Sequence, residues 1–87
     1  MYDAESSMTV TVLLFASYAD ALGTASLDVE LPHRATVADI VAAVRARAGS
    51  ARIPAVPLVA VNCQYAGGDR VVQEGDEIAL IPPVAGG

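Results

Sequence analysis

Residues 8–16, Met-Thr-Val-Thr-Val-Leu-Leu-Phe-Ala, begin by alternating threonine with valine. A period of two marks a half-buried strand, because successive side chains point to opposite faces. Val10, Val12 and Leu14 then share the core face, while Leu13 and Phe15 fall on the other face with the threonines. Residues 17–24 read as a loop with room for one helical turn, closed by Gly23. Residues 26–31, Ser-Leu-Asp-Val-Glu-Leu, alternate again: Leu27, Val29 and Leu31 inward, Asp28 and Glu30 toward water. Pro32 has no N–H to donate and ends that strand. Two strands with a short connection predict an antiparallel pair.

The period then changes. Thr36-Val-Ala-Asp39 resembles a capping box, with Asp39 where Glu or Gln is usual. Val37, Ile40, Val41 and Val44 follow at helical spacing, Arg45 and Arg47 suit the negative end of a helix dipole, and Gly49 is a natural C-cap. These signals predict a helix over 37–48. Residues 50–57 form a loop with Pro54 and Pro57, residues 58–62 a short apolar strand, and residues 63–68 a turn. Residues 69–72 read as a short edge segment and Glu74-Gly75-Asp76 as a tight turn. Residues 77–81 are the last strand, with Ile78 and Leu80 on one face and Ala79 and Ile81 on the other. The expected fold is α+β: a mixed sheet packed on one main helix, with residues 1–7 a flexible N-terminal tail, 8–81 the domain and 82–87 an extended C-terminal tail.

Composition narrows the chemistry. The chain has 87 residues, so it holds one modest core and little room for a catalytic cleft. Its net charge is −5, from ten acidic residues against five arginines, with no lysine. That balance disfavours a nucleic-acid partner and favours a basic protein surface. Cys63 is the single cysteine and His33 the single histidine, so neither a disulfide, a cysteine metal cage nor a histidine-based catalytic triad is expected. Cys63 reads as structural and His33 as a loop residue after Pro32. The start of the sequence lacks the basic and apolar regions of a signal peptide, and no run of about 18 apolar residues occurs, which predicts cytoplasmic residence without membrane insertion.

After Ile81 the chain reads Pro82-Pro83-Val84-Ala85-Gly86-Gly87. The prolines end the strand and favour extended backbone, and the glycines carry no side chain to obstruct a narrow channel. Six extended residues reach roughly 19 Å, enough to place a terminal carboxylate inside another protein's active site. Four stretches carry a family resemblance: 13–16 with Gly23, Thr36–Asp39, Val59–Asn62 and Glu74–Gly87. The arrangement resembles the ubiquitin-like β-grasp sulfur carriers, in particular molybdopterin synthase small subunits.

The resemblance implies that the reactive group is the carboxylate of Gly87, adenylated by an ATP-dependent activating enzyme and converted to a thiocarboxylate with sulfur from a sulfurtransferase. The loaded tail would then enter the large subunit of molybdopterin synthase and pass sulfur to a cyclic pyranopterin precursor. The chain itself would bind no cofactor or metal and would not be an enzyme. The resemblance also implies docking through an apolar patch that corresponds here to Phe15, Tyr65 and Ile81. Where the family often has an Arg-Glu pair before the first-loop glycine, this chain has Ala19-Asp20. Three alternatives stay open: a carrier for cysteine or thiamine-thiazole synthesis, a ubiquitin-like modifier joined to lysines, and a plain interaction module.

Overall fold

A computed structural model describes residues 7–49 and 52–83. The element order is β1 (Ser7–Leu14), α1 (Ala16–Leu22), β2 (Ser26–Pro32), α2 (Val37–Ala48), β3 (Leu58–Val61), β4 (Gln64–Tyr65) and β5 (Glu77–Ile81). The strands form one sheet in the order β2-β1-β5-β3-β4. The central pair β1–β5 is parallel and the other three pairings are antiparallel.

One face of this sheet is covered. Val10, Val12 and Leu14 of β1, Val29 and Leu31 of β2, Val59 and Val61 of β3 and Ile78 and Leu80 of β5 are buried, as are Val37, Ile40, Val41 and Val44 of α2. Each large aliphatic side chain so enclosed contributes about 1.5–3 kcal/mol of transfer free energy. The alternation expected for β1, β2 and β5 is present, and α2 spans the expected residues. Its box closes both ways: Thr36 N–H donates to Asp39 Oδ2 at 2.9 Å, and Asp39 N–H to Thr36 Oγ1 at 3.4 Å. No helix among the described residues is long and apolar enough to cross a membrane.

Four expectations change. Residues 16–22 form a seven-residue helix where the sequence predicts a loop with one helical turn, ended as expected by Gly23, which lies in the left-handed region at φ 74° with its N–H bonded to the Ala19 carbonyl. Tyr18, 3% exposed, anchors this short helix in the core, and Ala19 and Leu22 pack against the same core. Ser7, expected in the tail, belongs to β1 and pairs with Pro32; the rest of the expected tail, residues 1–6, lies outside the described residues. Residues 63–68 contain a strand, β4, whereas 69–72 provide only an isolated bridge between Val71 and Thr36. Cys63 is exposed and belongs to no core. It sits with Asn62 in the two-residue connection of β3 to β4, at φ 71° and 50° respectively.

Two of these features bear on stability. A β-hairpin turn with positive φ at both central residues accepts Asn at the first but prefers Gly at the second. Cys63→Gly should therefore raise stability by about 1 kcal/mol, read from the denaturation midpoint. Tyr18 is the other. Its hydroxyl is buried with no hydrogen-bond partner among the described residues, and burial raises its pKa above the ordinary 10.0. The unfolded chain ionises first, so stability is intact below pH 10.0 and falls as pH rises beyond it toward the folded pKa. Tyr18→Phe should be neutral or stabilising by up to about 1 kcal/mol at pH 7 and should flatten this alkaline loss in melts recorded against pH.

Candidate functional site: the tail exit and the open sheet face

The tail leaves from the middle of the sheet. β5 is bracketed by β1 and β3, and its last pairings are Leu80 with Leu14 and Ile81 with Leu58. Pro82 and Pro83 follow, and neither has an N–H to continue a ladder. Residues 84–87, which include Val84, Ala85, Gly86 and the expected reactive residue Gly87, lie outside the described residues.

The far end of β5 is held by a side-chain network. Asn62 Nδ2 donates to Asp76 Oδ1 at 3.0 Å, and the N–H of Glu77 donates to Asn62 Oδ1 at 2.9 Å. The other Asp76 oxygen accepts from the Gln73 N–H at 2.8 Å. The Asn62 and Glu74–Asp76 motifs thus fix the register of the strand that carries the tail and do not touch the tail exit.

The sheet face opposite the helix has no covering layer among the described residues. Ile81 is partly exposed there and Leu58, its cross-strand partner, is 47% exposed. The next row back is Leu13, Ala79, Ala60 and Tyr65, which pair in that order across four strands. Tyr65 is 72% exposed. Phe15 stands just past the end of β1 as the N-cap of α1. Its φ of −124° and ψ of 149° continue the extended geometry, so its side chain points opposite to buried Leu14 and is 47% exposed. The structure therefore places Ile81 and Tyr65 on one face and Phe15 at the same end of it. It adds Leu58, which the sequence does not single out because β3 is apolar on both faces and shows no alternation.

This surface has the character of a docking face and not of a catalytic cleft. A cavity of about 140 Å³ on the helix side is lined by small and aliphatic residues, among them Val37, Val41, Val56 and Gly67, and holds no titratable group. No cluster of three or more His, Cys, Asp or Glu side chains suited to a metal occurs among the described residues. His33 lies in the turn between β2 and α2.

A five-stranded mixed sheet closed by a helix, with a tail issuing from its central strand, defines the class: a ubiquitin-like β-grasp protein. A model of the ThiS family matches residues 12–87, and the chain belongs to this family of β-grasp sulfur carriers. It is 30% identical over 86 residues to the molybdopterin synthase sulfur carrier subunit of Arabidopsis thaliana, across 98% of this chain and 90% of that protein. Among solved structures, SAMP1 from Haloferax volcanii, a small archaeal modifier protein, superposes with a TM-score of 0.81 at 30% identity, covering 91% of this chain and 99% of the other. A chain of the complex of subunits 1 and 2 of the molybdopterin-converting factor from Helicobacter pylori 26695 shares the fold with a TM-score of 0.66 at 22% identity, over 92% and 100% of the respective chains.

Proposed function

We propose that this protein is the sulfur-carrying small subunit of a molybdopterin synthase. The observation that carries the reading is the likeness to a molybdopterin synthase sulfur carrier subunit along 98% of the chain, joined to a Pro82-Pro83-Val84-Ala85-Gly86-Gly87 end. In this reading the Gly87 carboxylate attacks the α-phosphorus of ATP on an activating enzyme and pyrophosphate leaves. The persulfide of a sulfurtransferase then displaces AMP to give an acyl disulfide, and a thiol cleaves its S–S bond, leaving the thiocarboxylate on Gly87 and a disulfide on the donor. The tail delivers that sulfur to a cyclic pyranopterin precursor in the large subunit and returns as the carboxylate. The catalytic groups belong to the partners. Phe15, Tyr65, Ile81 and Leu58 form the contact that positions the tail.

A second reading is favoured by a specific observation, the superposition on an archaeal modifier protein at the same 30% identity as the curated sulfur carrier subunit. A modifier would join Gly87 to lysine side chains through the same acyl-adenylate. A deletion strain separates the readings. The proposed function predicts loss of molybdoenzyme activity, restored by the intact gene. Cysteine or thiamine auxotrophy with molybdoenzymes intact, or residues 71–87 of this chain found isopeptide-linked to many lysines after cleavage at arginine, would replace it.

A further inference from the structure

The open sheet face changes character along its strands. At the tail end it is apolar, with Ile81 and Leu58 in one row and Leu13, Ala79, Ala60 and Tyr65 in the next. The row behind these is Asp28, Thr11 and Glu77, paired across β2, β1 and β5, and behind that stand Glu30 and Thr9. Rows on one face are two residues apart, so the carboxylates begin about 7 Å behind the Tyr65 row and end about 14 Å behind it. Asp28, Glu30 and Glu77 are all exposed. Two are held in place by hydroxyls on the same face: Thr11 Oγ1 donates to Asp28 Oδ1 at 3.1 Å, and Ser7 Oγ donates to Glu30 Oε2 at 3.3 Å.

The arginines are elsewhere. Arg34 is in the turn after β2, Arg45 and Arg47 are on α2, Arg52 is in the loop that follows, and Arg70 is in the loop whose carbonyl caps the start of α2. All five arginines thus lie outside the strands, and among the described residues the strands give the open face carboxylates but no cationic side chain. Exposed apolar side chains mark a contact, and an unbalanced charge beside them states what the other side must carry.

We propose that this face is a composite docking surface, apolar near the tail exit and anionic behind it, for a protein partner whose apolar patch is flanked by cationic side chains. The belt of Asp28, Glu30 and Glu77 steers encounter and sets the direction in which the tail enters the partner. The apolar rows hold the complex once formed. Charge on the belt therefore acts on the association rate, and the apolar residues act on dissociation.

The test rests on the proposed function only for the choice of partner, the large subunit of molybdopterin synthase from the same source. Association is followed by stopped flow with the full chain, at low and high salt. Asp28→Arg with Glu30→Arg should slow association about tenfold at low ionic strength, and the difference should vanish at about 0.5 M salt. Asp28→Asn with Glu30→Gln, which keeps side-chain shape, should give a smaller loss of the same kind. Asp69→Arg, in the loop beside the helix layer, shifts net charge by as much as either single reversal and should change the rate less than twofold. Unchanged association in the double reversal would overturn the proposal. So would a loss that persists at high salt, or an equal loss in Asp69→Arg. If the large subunit does not bind the wild-type chain but the activating enzyme does, the proposed function falls and the same series on the activating enzyme decides the belt. Binding to neither overturns both.

Discussion

Replacing Gly87 by phenylalanine, or deleting it, should lower thiocarboxylate formation and sulfur transfer by at least about 100-fold while leaving the melting temperature of the folded body unchanged. The size of the effect follows from where the chemistry sits. In the proposed function the reacting atom is the terminal carbonyl carbon, and an acyl group displaced by even about 1 Å from its near-attack position loses rate on that scale. A ring at position 87 adds bulk to the acyl residue itself, in a channel that admits an unbranched end. Deletion moves the carboxylate back by one residue, about 3 Å of extended chain. Stability is insulated because β5 ends at Ile81, and the prolines after it add no ladder hydrogen bond. The check is a reconstituted reaction of the purified chain with activating enzyme, ATP and sulfur donor, read by intact mass, with a thermal melt alongside. Equal loading of the wild-type and Gly87→Phe chains would remove the acyl terminus from the account.

A charged group at the apolar end of the open face should be nearly as damaging, but to binding. Ile81→Asp and Leu58→Asp should each weaken the complex with the partner by about 2–4 kcal/mol, roughly 30- to 1,000-fold in Kd. These two side chains are cross-strand partners beside the tail exit, and a carboxylate there would be buried unpaired against an apolar surface. Neither side chain is part of the core cluster, so folding should be little affected. Calorimetric titration measures the affinity. A Kd within twofold of wild type for both variants would mean that the tail alone carries the contact. Phe15→Ala and Tyr65→Ala extend the series, and smaller losses are expected because each removes apolar contact without burying a charge; Tyr65 also stands one row back from the exit.

Much of the fold is legible in the sequence wherever several local signals agree. α2 has a capping box, four apolar residues at helical spacing, arginines in its last turn and a glycine after it, and the boundaries these signals predict match the structure. β5 alternates cleanly, and that alternation alone puts Ile81 on the outward face. α1 is harder because its cues are weak: seven residues, a phenylalanine at the N-cap with no capping bond, and no basic residue in the last turn. Its reason to be helical is tertiary, the burial of Tyr18 against the core. β4 is two residues long and exists only because Tyr65 and Gln64 find Ala60 and Val61 across a hairpin.

The site divides along the same line. The alternation of β1 predicts Phe15 on the outer face of a strand, and it reaches solvent instead from the strand's end, where the chain is still extended before the helix begins. Leu58 carries no such signal, because a strand that is apolar on both faces conceals which side chains point out. The acidic belt is written in the alternation of β2, but its neighbours come from β1 and β5, and only the register brings Asp28, Thr11 and Glu77 into one row.

The central claim, that the end of this chain carries sulfur as an acyl group, is tested most directly by mass. The chain is isolated from cells and cleaved at arginine, which releases the segment after Arg70 with Gly87 at its end. A fraction of that segment heavier by the difference between a sulfur and an oxygen atom, with fragmentation placing the extra mass on Gly87, is the predicted result. A segment found with only an oxygen-bearing terminus, in cells whose molybdoenzymes are active, would contradict it.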